Sequence, residues 1–179
     1  TALIGDEAFF VTRIGDTWRQ FGKNLGFSDR VVVYQTDANV TERLLTELDT
    51  QSLFAKQTLV ELRLSQINLE TRLRKAIHEW ILRGPEDKRL LISGGKVGKR
   101  EISSDWYRRL DKKNCIIEAS TVPSYKFSKW LDQELNSASI ELESDGKQAI
   151  VEHTQGNMLA VDQVLKRLRL TQPEPLETR

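Results

Sequence analysis

Five short apolar runs, each followed by a stretch with helical spacing, constrain this chain more than anything else in it. The runs are Ala2-Leu3-Ile4, Val31-Val32-Val33-Tyr34, Thr58 to Leu64, Leu90-Leu91-Ile92-Ser93 and Cys115-Ile116-Ile117. Each is too brief for a helix, and their near-continuous apolar character predicts strands buried on both faces. Between them, apolar residues recur at helical spacing: Phe10, Ile14, Trp18, Phe21 and Leu25; Leu44, Leu45 and Leu48; Leu69, Leu73, Ile77, Trp80 and Ile81; Ile102, Trp106, Tyr107 and Leu110. Five strands separated by four helical segments predict an α/β domain with a mostly parallel sheet, ending near Ser120.

Punctuation supports this division. Asp6 and Glu7 stand where a first helix would begin, Gly26 where it would end, and Thr41 where a second helix would be capped before running to Asp49. Gly84-Pro85 stops the third helix. Beyond Thr121-Val122-Pro123-Ser124 the strand pattern ceases. Phe127, Trp130, Leu131, Leu135 and Ala138 suit one helix, Ala149 to His153 a second, and Met158, Val161, Leu165 and Leu168 a third. Gly156-Asn157 would separate the last two as C-cap and N-cap. Residues 121–171 therefore read as a small three-helix domain, and 172–179, with Pro173 and Pro175, as a linker towards a further domain.

Composition removes several function classes. Cys115 is the only cysteine, so one chain can form neither a disulfide framework nor a cysteine metal site; it reads as a small core residue of the fifth strand. His78 and His153 lack the neighbours of a triad or a metal site and read as structural. No run approaches the ~18 apolar residues of a membrane span, and a cytoplasmic setting is expected. Net charge is only +1, although Arg83 to Lys113 holds ten Lys/Arg against five Asp/Glu. That segment is either a solvated face or a surface for nucleic acid. Trp18, Trp80, Trp106 and Trp130 each fall on an apolar stripe, which favours packing over base stacking.

The fold class invites a nucleotide test, and the residues answer against it. A P-loop needs Gly-x-x-x-x-Gly-Lys-Ser/Thr after the first strand, where the chain has Gly5-Asp6-Glu7-Ala8-Phe9-Phe10. There is no lysine for the phosphates, no hydroxyl for magnesium, and two carboxylates that would repel a triphosphate. A decoy, Gly94-Gly95-Lys96-Val97-Gly98-Lys99-Arg100, follows the fourth strand but has Ser93 at the first glycine position and Arg100 at the Ser/Thr position. Lys96, Lys99 and Arg100 remain candidates for a phosphate, DNA or subunit contact, against the plainer reading of a basic turn. Glu141 with Glu143, or Asp6 with Glu7, lack any accompanying nucleophile or oxyanion site. No catalytic residue, cofactor site or metal site is expected.

One loop is out of character. Gln51-Ser52-Leu53-Phe54-Ala55 joins the second helix to the third strand and carries two large apolar residues where a polar turn is ordinary. Leu53 and Phe54 either tuck back onto the core or stay exposed to enter a pocket on another protein.

Taken in order, Gly5-Asp6-Glu7-Ala8-Phe9, Gln51-Ser52-Leu53-Phe54-Ala55, Gly94 to Arg100, and Gly156-Asn157-Met158-Leu159-Ala160-Val161 resemble the delta subunit of the bacterial DNA polymerase III clamp loader. The resemblance spans nearly the whole chain. It implies a degenerate AAA+-like module over residues 1–120 that does not hydrolyse ATP, a helical lid over 121–171, and an absent collar domain to which 172–179 would lead. It also implies that Leu53 and Phe54, flanked by Gln51, Ser52 and Ala55, enter a pocket of the beta sliding clamp and help open the ring. The implied partners are the clamp, the gamma/tau and delta prime subunits, and primed DNA within the assembled loader. Two other readings stand beside this one: a P-loop-like nucleotide enzyme using Lys96 and Lys99, and a stand-alone DNA-binding module using Arg83 to Lys113.

Overall fold

The computed structural model describes residues 1–50 and 57–171. Its contacts divide the chain into two compact units, Thr1–Ser120 and Thr121–Arg179.

The first unit is built on strands β1 (Ala2–Ile4), β2 (Phe27–Tyr34), β3 (Gln57–Leu64), β4 (Lys88–Gly94) and β5 (Ile116–Glu118). They form one sheet in the order β2-β3-β4-β1-β5, and every pairing is parallel. Helices α1 (Ala8–Asn24), α2 (Val40–Asp49), α3 (Thr71–Arg83), α4 (Lys99–Ile102) and α5 (Asp105–Lys112) make the crossovers. The step from β1 to β2 runs in the opposite direction across the sheet from the later steps. Since such crossovers are right-handed, α1 must lie on the face opposite to the other helices.

Strand register distributes the core accordingly. Val33, Leu62, Ile92 and Ala2 lie abreast on one face and pack with Leu44 and Leu48 of α2, Leu73, Ile77 and Trp80 of α3, and Trp106 and Leu110 of α5. On the other face Leu3, Leu91 and Ala119 meet Phe10, Val11, Ile14 and Trp18 of α1. That second face also carries the row Val32, Glu61 and Leu91 and the row Tyr34, Arg63, Ser93, Leu3 and Ile117. A carboxylate on a buried sheet needs partners, and those of Glu61 are Arg19, Arg30 and Arg63.

The second unit comprises α6 (Ser124–Ser137), α7 (Ser144–Thr154) and α8 (Met158–Thr171). Phe127, Trp130, Leu131 and Leu135 bury one stripe of α6, and Lys147 of α7 pairs with Asp132 of α6 at 2.7 Å. At the turn before α8, Gln155 and Gly156 take positive φ values of 48° and 81°, and the Asn157 side chain accepts from the Ala160 amide at 3.0 Å. Asn157 is thus the expected N-cap, whereas the C-cap of α7 is Gln155, one residue before the expected Gly156.

Several local expectations differ. β2 starts at Phe27, four residues before the apolar run, because Arg30 is paired with buried Glu61. Asn39, with a left-handed φ of 59°, precedes α2 in place of the expected Thr41 cap. The helix expected around 102–110 is two helices, parted at Ser103-Ser104, where the Ser104 hydroxyl donates to the Glu101 carbonyl at 2.5 Å. Cys115 precedes β5 and is half-buried, since the strand proper begins at Ile116. Trp80, Trp106 and Trp130 are buried as expected, whereas Trp18 is half-buried against the α1 face. No helix among the described residues is long and apolar enough to cross a membrane.

Candidate functional site

The loop after β1, where a nucleotide-binding fold would cradle phosphates, is closed by the chain itself. Gly5 has a φ of 152°, and a Cβ there would lie 2.0 Å from the Ala119 carbonyl oxygen. The Gly5 amide donates to Gly94 at 3.0 Å and the Glu7 amide to Ala119 at 3.1 Å. Glu7 is the N-cap of α1, its carboxylate accepting from the Phe9 amide at 3.2 Å. The Gly5, Glu7 and Phe9 amides, which could otherwise attract an anion at a helix start, are therefore engaged by internal oxygens. Asp6 beside this loop pairs with Lys96 at 2.8 Å, and that hydrogen bond holds the exposed Asp6 carboxyl below its ordinary pKa.

The basic turn is held from beneath. Val97 bridges in parallel to Ile67, Gly98 caps α4 in an extended conformation, and Lys99 and Arg100 open the helix on its exposed side. Glu101 points the other way and is buried. It accepts from the Leu69 amide at 3.1 Å, from Arg74 at 2.5 and 3.1 Å, and from the Trp106 indole at 3.1 Å. Burial alone would raise the Glu101 pKa, but Arg74, Trp106 and Leu69 together pull it below the ordinary value. Arg74 is raised in turn, chiefly by its hydrogen bond to Glu101. Of the three cations singled out in the sequence, Lys96 has an acidic partner. Lys99 and Arg100 have none among the described residues.

Gln51, Ser52, Leu53, Phe54 and Ala55 lie outside the described residues, but both flanks of that loop are described. Leu44 and Leu48 bury the inner side of α2, and the Trp80 indole donates to the Leu44 carbonyl at 2.8 Å. Lys88, the first residue of β4, reaches under the end of α2. Its ammonium donates to the Thr50 carbonyl at 2.5 Å and also to the Glu47 carbonyl. The preceding residue, Asp87, accepts from the Thr58 amide at 2.9 Å at the start of β3. Residues 87 and 88 thus clasp the chain just before and just after the loop. Sequence reading missed Lys88, which stands beside Arg89 at the start of β4 and reads as an ordinary charged residue before an apolar run.

A second feature escaped it too. Glu61, with a side chain 2% exposed, sits in the middle of β3 on the α1 face. Arg30 grips it through Nε at 2.7 Å and Nη2 at 3.0 Å, while Arg19 reaches it at 3.1 Å and Arg63 at 3.1 Å. Burial acts to raise the Glu61 pKa, and the hydrogen bonds from Arg30, Arg63 and Arg19 outweigh it, so the carboxyl is held below its ordinary range. Among the described residues no group of three or more His, Cys, Asp or Glu side chains is placed to hold a metal ion.

Comparison with known proteins adds to this geometry. The family described as DNA polymerase III, delta subunit, matches residues 2–120. The DNA polymerase III subunit delta of Escherichia coli (strain K12) is 24% identical over 177 residues, covering 96% of this chain and 50% of that protein. The chain therefore spans about half the length of such a curated relative. In structure it is similar to the Bacillus subtilis DNA clamp loader delta protein, with a TM-score of 0.69 and 13% identity over 94% of this chain and 52% of that one. The AMPPCP-bound DnaA of Aquifex aeolicus shares the fold at a TM-score of 0.50 and 15% identity, over 98% of this chain and 57% of that chain.

Proposed function

The chain belongs to the DNA polymerase III delta subunit family, and from that premise we propose that it binds the beta sliding clamp through Leu53 and Phe54 and helps open the ring for loading onto primed DNA. Gln51, Ser52 and Ala55 frame the pair. In this reading Thr1–Ser120 is a degenerate AAA+-like module, 121–171 a helical lid, and 172–179 a linker towards a collar domain that joins the gamma/tau and delta prime subunits in the cytoplasm.

The observation that carries the proposal is the clasp on both flanks of the loop. Lys88 fixes the end of α2 and Asp87 fixes the start of β3, so the described residues on either side of 51–56 are anchored. Anchored flanks lower the ordering cost of presenting two apolar side chains to a partner. Burying a Leu and a Phe in a pocket contributes about 1.5–3 kcal/mol each, and such anchors are typical hot spots. To open a ring rather than merely hold it, the bound subunit must prefer the opened geometry, because only differential binding shifts an equilibrium.

The closed loop after β1 supports a division of labour. With the Gly5, Glu7 and Phe9 amides engaged by Gly94, Ala119 and the Glu7 carboxylate, it favours a subunit that works without hydrolysing ATP itself and is gated by ATP binding in its neighbours. The test is a Leu53→Ala, Phe54→Ala double variant. It should keep the circular dichroism of the parent and lose clamp binding by surface plasmon resonance; a folded variant with unchanged clamp affinity would sink the assignment.

A further inference from the structure

Between α1 and the sheet lies a hollow of about 280 Å³, lined by Leu3, Thr12, Arg19, Glu61, Arg63 and Ser93 among others. We propose that this hollow binds a phosphate group that terminates its molecule, either inorganic phosphate or a phosphomonoester. The inference is independent of the clamp-binding loop and of the closed loop after β1.

Charge is the first argument. Three guanidinium groups, Arg19, Arg30 and Arg63, converge on Glu61, and Arg19 also meets Asp16 at 2.5 Å. Three cations against two carboxylates leave the cluster one positive charge in excess. Glu61 itself does not repel an anion strongly, since both its oxygens already accept from arginine. Glu61 is buried, but the Arg30 and Arg63 side chains are 42% and 40% exposed, so both guanidinium groups remain open to an incoming anion.

Donor chemistry is the second. Arg63 uses a single hydrogen bond on Glu61, through Nη2 at 3.1 Å, and its guanidinium has further N–H groups to offer. The Thr12 and Ser93 hydroxyls line the same hollow and make no hydrogen bond among the described residues. A guanidinium fork and two hydroxyls suit the three outer oxygens of a phosphate.

Position is the third. Leu3, Ser93 and Arg63 lie abreast near the carboxyl ends of β1, β4 and β3. Parallel α/β sheets take ligands at that end of their strands. The hollow, about 280 Å³ and walled by Thr12 and Arg19 of α1 and by Arg63 and Ser93 of the sheet, has the size for a terminal phosphate group.

The experiment is a titration of the 179-residue chain, followed by amide chemical shifts. The probes are inorganic phosphate, a 5′-phosphorylated trinucleotide and its 5′-hydroxyl twin. Saturable shifts centred on Thr12, Arg63 and Ser93, with a Kd of about 1 mM or tighter for either phosphate-ended probe, are expected. Arg63→Gln should weaken that binding by about tenfold or more. If Arg63→Gln perturbs the fold, Thr12→Val with Ser93→Ala serves instead, and several-fold weakening is expected. The proposal is overturned by an absence of localised shifts at tens of millimolar phosphate, by affinity unchanged in a folded variant, or by equal binding of the 5′-hydroxyl trinucleotide. Inorganic phosphate binding alone identifies a free-phosphate site; binding of the phosphorylated trinucleotide alone identifies a phosphomonoester site.

Discussion

The ammonium of Lys88 lies 2.5 Å from the carbonyl oxygen of Thr50, so the first residue of a central strand holds the last turn of a helix from the opposite side of a loop. Helix C-termini leave carbonyls unpaired, and a cation there satisfies them and complements the helix dipole. Lys88 is 5% exposed, so water cannot readily replace it. Lys88→Met should cost about 1–3 kcal/mol in urea unfolding. It should also weaken clamp binding although Leu53 and Phe54 are untouched. Unchanged clamp affinity in a destabilised Lys88→Met variant would separate the clasp from the docking role.

Acid should weaken the first unit through its two buried carboxylates. Glu61 and Glu101 are both held below their ordinary value of 4.5. A depressed folded pKa contributes stability that is fully present above the unfolded pKa and is lost as pH falls through the folded one. The stability difference between the parent and Glu101→Gln should therefore be flat from about pH 7 down to about pH 5 and shrink below the unfolded value. Urea midpoints across that range test this, and a difference that grew on acidification would contradict the assignment.

Gly5→Ala should be among the most damaging single changes in the chain. The new methyl would meet the Ala119 carbonyl at 2.0 Å, and the φ of 152° is itself unfavourable for alanine. Strain at such a position and a backbone clash together place the cost at about 3 kcal/mol or more. Gly98→Ala is the control, since nothing lies within 4 Å of its added methyl and its φ is −73°. It should change stability by less than about 0.5 kcal/mol.

Lys99→Glu with Arg100→Glu should leave the fold unaltered, because both side chains are exposed and Glu101 anchors the turn independently. If the turn meets DNA in the assembled loader, the log–log salt dependence of DNA binding will flatten by about one to two units. A slope identical to that of the parent loader would assign the turn to a subunit contact or to solvent.

Much of this architecture was legible because the strands of a parallel sheet covered on both sides must be apolar almost throughout. Val31 to Val33, Leu90 to Ile92 and the helical stripe from Leu73 to Trp80 therefore announced themselves. What stayed hidden were the places where charge is buried by distant pairing. Glu61 passes unnoticed within the apolar run Thr58 to Leu64, and only the fold brings Arg19 and Arg30 to it. The same pairing obscured the first half of β2, whose Asp29 and Arg30 resemble a turn. Lys88 was invisible for a related reason: its acceptors are backbone carbonyls, which carry no side-chain signature. Leu53 and Phe54, for which docking is proposed above, were singled out by the opposite kind of signal, two large apolar residues between a helix and a strand, and lie outside the described residues.

The crowding of Gly5 by Ala119 is a contact between two stretches of main chain. Exchanging neighbouring side chains in the loop after β1 would leave that pinch where it is, and only a shift of the backbone beyond β5 would make room for a side chain at position 5.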